Sequence, residues 1–239
     1  MFVRVASIHS LYQISFMPRL LPVNCYLVEE EDGLTLIDAA LPYSASGILQ
    51  AARQVGKPIR RIVLTHAHAD HVGALDALKR RLPEASVAIS ERDARLLAGD
   101  LSLDPDEAPL PIRGGIPKKI TTVPDHLLKE GDRIGSLTAI SVPGHTPGSM
   151  AFLDERTGAV VAGDALQTRG GIAVAGLLKP SFPFPAMATW NKQAAIRSAA
   201  KLLALSPALL AVGHGPMLEQ PERAMEQAID EAKRAIGGR

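Results

Sequence analysis

At 239 residues, 46% apolar and 21% charged, the chain has globular composition and enough length for a substantial core, which excludes intrinsic disorder. A net charge of +1, a pI near 7.9 and the lack of any long basic run exclude the electrostatic footprint of a nucleic-acid binder. The lone cysteine, Cys25, excludes an intramolecular disulfide framework, and no apolar run reaches the roughly 18 residues of a membrane-spanning helix. Apolar neighbours predict that Cys25 is a buried thiol. The first ten residues lack the charged-then-apolar order of a secretory signal, so a soluble, cytoplasmic protein with one domain over 1–239 is expected.

In chain order, "FVRVASI", "NCYLVEE" and "LTLIDAA" read as short strands, with a turn at Asp32-Gly33 between the last two. A helix follows Pro42, and a strand occupies 61–64. The next helix carries Val72, Leu75, Leu78 and Leu82 near helical period, and "KRR" at 79–81 ends it near its negative pole. A strand near 86–90 and a short helix lead into "DPDEAPLPIRGGIP" (104–117), a surface loop rich in breakers. Strands follow at 137–142, 150–153 and 159–163, then an irregular segment at 167–186, a helix at 188–204 and a strand at 208–213. The closing helix runs from Pro221 to Gly237 with Met225, Ile229, Ala232 and Ile236 on one face. Strands and helices mix without strict alternation. An α/β chain of the α+β kind, with a two-sheet core covered by helices, suits this order better than a doubly wound sheet.

Chemistry concentrates in "VLTHAHADHVG" (63–73), which places His66, His68, Asp70 and His71 on a strand-to-helix turn. In extended chain, residues 66, 68 and 70 share one side, and the turn brings His71 round. Ala67 and Ala69 keep the intervening positions small. Three further apolar strands run into metal-capable residues: "ISVPGH" into His145, "VVAGD" into Asp164 and "LLAVGH" into His214. Five of the seven histidines lie at these four strand ends. For Asp70 alone, a helix N-cap is the simpler role; beside three histidines, a ligand is the better reading. Imidazole and carboxylate donors suit Zn2+, with Mn2+ or Fe2+ as alternatives, and seven donors exceed the need of one tetrahedral ion, so two Zn2+ per chain are expected. Spacing does not assign donors to ions.

"THAHADHVG", "PGHTPGS", "AGDAL" and "VGHGP", in this order, resemble the metallo-β-lactamase fold superfamily of hydrolases over nearly the whole chain. The resemblance implies a four-layer αββα sandwich of two mixed sheets flanked by helices, with metals at one edge. It implies that His66, His68 and His145 hold one ion, that Asp70, His71 and His214 hold the other, and that Asp164 bridges them. It also places Asp38 of "LIDAA" as a structural support near the site.

Departures narrow the branch. Zinc β-lactamases with a similar motif generally lack an aspartate at the position of Asp164, and the stretch after His214 has room for one helix rather than a glutathione-binding domain of the glyoxalase II kind. No tyrosine lies between 164 and 214, where many acyl-homoserine lactonases carry one. The expected activity is a dinuclear zinc hydrolysis of a small ester-like molecule, a lactone or thioester, by a metal-bridging hydroxide that Asp70 orients as catalytic residue. A phosphodiesterase or nuclease, and a mononuclear iron protein like the persulfide dioxygenases, are the alternatives. A small-molecule substrate is the expected partner, with no nucleic acid, no membrane and a homodimer as one possible assembly. Thr65 and Thr146 flank ligands as candidate hydrogen-bond supports. The loops 104–117 and 167–186 are expected to rim the pocket, with Leu177, Leu178, Phe182 and Phe184 as apolar walls and Arg113, Arg169 and Lys179 as anion clamps.

Overall fold

The computed structural model describes residues 3–237, so Phe2 of the first expected strand and the extreme ends of the expected 1–239 domain lie outside the described residues. Its strands form two large sheets, each supplied by one half of the chain. The first contains, in both chain and spatial order, β1 (Val3–Ile8), β2 (Leu11–Phe16), β3 (Val23–Glu29), β4 (Leu34–Ile37), β5 (Ile59–Val63), β6 (Ser86–Ser90) and β7 (His126–Leu128). Neighbours from β1 to β4 are antiparallel, and those from β4 to β7 parallel. Parallel neighbours need crossovers, which here carry α1 (Ala45–Val55), α2 (Ala69–Val72), α3 (Leu75–Arg81) and α4 (Glu91–Leu97). The second half supplies β8 (Arg133–Ile134), β9 (Leu137–Ser141), β10 (Met150–Asp154), β11 (Ala159–Val161), β14 (Leu209–Ala211) and β15 (Leu218–Glu219) in the order β15-β14-β11-β10-β9-β8. A separate ribbon pairs β12 (Leu166–Gln167) with β13 (Ala173–Val174), and the helices of this half are α5 (Phe184–Met187), α6 (Lys192–Leu203) and α7 (Glu222–Gly237).

Alternation along the strands builds the four layers. Leu36, Ile62, Val87 and Ile89 face outward to Ile48 of α1, Leu75 and Leu78 of α3, and Leu96 of α4. Their neighbours Ile37, Val63 and Ala88 face inward and meet Ala139, Phe152, Val161 and Ala211 of the second sheet. On its other face that sheet sends Ile140, Val160 and Leu210 against Ala199 and Leu202 of α6 and Met225 and Ile229 of α7. With both faces of each sheet covered, the strands read as apolar runs rather than as polar–apolar alternation. Cys25 is fully buried in the outer layer of the first half.

Three local differences from the sequence reading have physical causes. Strand β2 is entered through His9, whose left-handed backbone (φ 52°) makes the turn without a glycine to mark it. The helix expected through Val72 and Leu82 is two helices, because the Gly73 amide bonds to the Ala40 carbonyl (2.8 Å) instead of continuing the helix. The helix expected from 188 begins at Lys192. The Trp190 and Asn191 amides go to the His145 and Gly144 carbonyls, and the Asn191 side chain then caps Gln193 and Ala194.

Candidate metal centre

Each of the four loops carrying donors leaves the end of a strand: β5 runs to His66, β9 to His145, β11 to Asp164 and β14 to His214. The extended stretch ends at His68 (φ −73°, ψ 148°), which occupies the position before α2, so Asp70 sits inside the first helical turn and not at the cap. Donor atoms of His66, His68 and His145 lie within 4.8 Å of one another, as do those of Asp70, His71 and His214, and those of His66, His71 and Asp164. Asp164 lies between the first two trios: its Oδ2 is 3.3 Å from His145 Nε2 and 3.1 Å from His214 Nε2, and its Oδ1 is 3.4 Å from His71 Nε2. Gly213 permits this approach, since a Cβ there would collide with the Asp164 carboxylate.

The outward nitrogens decide what the inward ones can do. His68 Nε2 is 2.8 Å from the Arg113 carbonyl and His214 Nδ1 is 2.7 Å from the Pro22 carbonyl; a carbonyl only accepts, so both nitrogens carry hydrogen. His71 Nδ1 donates to Asp38 Oδ2 at 2.8 Å. Thr65 Oγ1 gives its hydrogen to Asp38 and Thr189 Oγ1 gives its own to the Pro185 carbonyl, which leaves each hydroxyl to accept from His66 Nδ1 (3.0 Å) and His145 Nδ1 (3.1 Å). In its neutral form each of the five histidines therefore turns an unprotonated nitrogen inward. His68 Nδ1 lies 3.1 Å from His66 Nε2 and 2.9 Å from His145 Nε2, and lone pairs so placed call for a positive charge between them, a proton or a metal cation. Buried His71 Nε2 and Asp164 Oδ1 have no hydrogen-bond partner. The residues present thus fit metal ions.

Protonation follows the same logic. Burial pushes His145 down to about 3, against the pull of Asp164, and holds His66 well below the usual imidazole value. Burial also opposes charge on His71 and His214, but Asp164 outweighs it at both, joined by Asp38 at His71, and raises both pKa values. Asp164, though buried, is held well below the carboxylate range by His214 and His71. The negative charge that retains protons on these two histidines is the charge that would hold cations in their place.

The supports are partly those the sequence indicated. Asp38, in left-handed backbone (φ 65°), accepts from Thr65 N, Thr65 Oγ1 and His71 Nδ1, each at 2.8 Å. Thr146 Oγ1 bonds to Asp93 at 2.7 Å. Asp93 itself escaped the sequence reading. Fully buried, its carboxylate takes Ala67 N, Gly148 N and Thr146 Oγ1, tying the loop of His66 to the loop of His145. Its visible signal, Ser90 three residues earlier, reads as a helix cap, and Ser90 does cap Asp93 N. The rim needs one correction. Lys179 is engaged with Glu231 at 2.8 Å and does not stand as a free anion clamp, whereas Arg169 gives one N–H to the Arg19 carbonyl. Phe182 is buried with its ring 5.3 Å from that of His214.

Donors from both sheets thus converge on one edge of the sandwich. The family model described as Metallo-beta-lactamase superfamily matches residues 18–214, and the chain belongs to that superfamily. It is 59% identical over 231 residues to "Uncharacterized protein YobT" of Bacillus subtilis (strain 168), covering 97% of this chain and 99% of that one. To "Hydroxyacylglutathione hydrolase GloC" of Haemophilus influenzae it is 30% identical, over 62% and 68% of the two chains. The solved structure titled "Crystal structure of TTHA1623 in a di-iron-bound form" superposes with a TM-score of 0.63 at 29% identity, covering 94% of this chain and 97% of that one. Relatives named probable metallo-hydrolases, YflN and YqgX of Bacillus subtilis (strain 168), are similar to the chain as well, at 29% and 30% identity. Among the described residues, no helix is long and apolar enough to cross a membrane.

Proposed function

We propose that the chain is a dinuclear zinc hydrolase of a small ester-like molecule, a thioester or lactone. The observation that carries this reading is the set of seven donors arranged as two trios with Asp164 between them, five of them histidines whose outward hydrogens are all fixed. GloC, by its name a hydrolase of an acylated glutathione, supports the thioester side. The di-iron title of the TTHA1623 structure keeps iron as the competing metal for the same donors.

When bound, two divalent ions supply an acidified water and Lewis acidity toward a carbonyl oxygen. The protein's own groups supply the rest. Six of the donors are buried, whereas the Asp70 side chain is 37% exposed with Oδ2 3.5 Å from His214 Nε2. Asp70 is therefore the donor that meets solvent, and it takes a water proton at its carboxylate and orients the remaining lone pair toward the substrate carbonyl. Asp38 and Thr65 keep His71 and His66 in register, and Asp93 holds the loops of His66 and His145 together. The lone thiol, Cys25, is unsuited to a covalent acyl step, because burial, joined by the charge of Asp38, pushes its pKa up and keeps it from the thiolate form. The test is a panel of lactones, thioesters, phosphodiesters and β-lactams on protein of verified metal content. Turnover of a lactone or thioester at least tenfold above the other two classes is expected; preference for a phosphodiester or β-lactam would overturn the reading.

A further inference from the structure

A cavity of about 920 Å3 opens beside the metal centre, between residues 108–113, the turn at 175–178, the linker from α5 into α6 and the last turns of α7. None of the seven donors lines it. Two of its wall residues nevertheless touch them from behind: the Arg113 carbonyl bonds His68, and the Thr189 hydroxyl bonds His145. The volume lies within the roughly 300–1,000 Å3 of small-molecule sites. Leu110, Leu177, Leu178, Met187, Ile196 and Ile236 make the wall apolar. Leu110, Leu178 and Met187 are 42%, 56% and 64% exposed, a concentration of wetted apolar surface at one mouth.

The charged side chains of this wall are of one sign. Arg113 and Lys192 line it, no carboxylate does, and among the described residues neither cation is committed to an ion pair. Asn191, Lys192 and Gln193 also bring the positive pole of the 12-residue α6 to the wall. An apolar recess with cationic groups selects for a hydrocarbon chain that ends in a negative charge.

We propose that the cavity binds a soluble anionic amphiphile, in its simplest form a medium-chain carboxylate, with the chain in the recess and the head group met by Arg113 and Lys192. This assignment is independent of the bond the metal centre breaks, because it is read from binding alone. Isothermal calorimetry on the metal-loaded full chain, with decanoate, hexanoate and decyltrimethylammonium as probes, tests it. Decanoate is expected to bind once per chain, at least tenfold more tightly than hexanoate, since a fully buried methylene is worth about fourfold. It should also bind at least tenfold more tightly than the cationic amphiphile. Ile196→Trp fills the recess and should weaken decanoate at least tenfold. A tryptophan in a packed wall risks the fold, so Leu178→Asp, at an exposed position, provides the second variant with the same expected loss. Equal affinity for decanoate and hexanoate, equal affinity for the cationic amphiphile, or wild-type affinity in both variants would overturn the proposal. Retention of the protein by phosphatidylglycerol vesicles, with no binding of free decanoate, would overturn it in favour of a membrane surface.

Discussion

Replacing Asp38 by asparagine tests the outward hydrogen bonds as the origin of metal affinity. The backbone tolerates the change, because asparagine adopts the left-handed conformation that Asp38 holds at φ 65°. The side chain does not. Three donors, Thr65 N, Thr65 Oγ1 and His71 Nδ1, point at two carboxylate oxygens, and an amide offers one oxygen and two hydrogens in their place. An amide nitrogen at the Oδ1 position faces the Thr65 backbone N–H, which cannot turn away. At the Oδ2 position it faces His71, whose remedy is to move its hydrogen from Nδ1 to Nε2, the nitrogen that should remain free for a metal. Removing such an outer partner costs about 10- to 100-fold in metal affinity. The tautomer conflict places Asp38→Asn at the upper end for the ion of Asp70, His71 and His214, about 2.7 kcal/mol. The assay is a zinc titration by calorimetry against a competing chelator, with circular dichroism to verify the fold. Two binding events each within threefold of wild type would refute the claim that Asp38 sets the His71 tautomer.

Elemental analysis of protein purified without chelator should give close to two transition-metal ions per chain; at most one after incubation with excess zinc would sink the dinuclear reading. Asp70→Ala should abolish hydrolysis and leave the circular dichroism spectrum unchanged, and near-normal turnover with metals bound would reduce Asp70 to a surface carboxylate. The raised pKa values of His71 and His214 stabilise the metal-free fold fully below the ordinary imidazole value, and that stability is lost as pH rises through the raised values. The urea midpoint of chelator-treated protein should therefore fall as pH rises above the ordinary imidazole value of about 6.5; a rising midpoint would contradict the assigned charge states.

The convergence of the seven candidate donors was legible because histidine and aspartate at the ends of apolar strands stand out against the strands themselves. The two-sheet core was legible in the mixed order of strands and helices and the four layers through the family resemblance, and runs such as "IVL" and "LLAV" are apolar at every position because both faces are covered. What stayed hidden was whatever depends on backbone or on distant chain. His214 is held by the Pro22 carbonyl and His68 by the Arg113 carbonyl, and a carbonyl carries no residue-type signal. Asp93 was masked by its place in a helix start, where an acidic residue has a sufficient local reason to be. Gly73 ended a helix by bonding across to Ala40, which periodicity within the helix could not register. Lys179 looked available for an anion because its partner, Glu231, lies more than fifty residues onward.

Each sheet is the work of a contiguous half of the chain, and the donors divide in the same way. His66, His68, Asp70 and His71 come from the half that builds the first sheet, while His145, Asp164 and His214 come from the half that builds the second. Neither trio closes within one half: the first lacks His145 and the second lacks His214. During synthesis the nascent first half carries the densest cluster of donors yet no complete site; the first trio closes only with the loop of His145, and the second only when the loop of His214 docks at the Pro22 carbonyl. Metal uptake at these trios would thereby report on assembly, a signal given only by chains whose two halves have met in register.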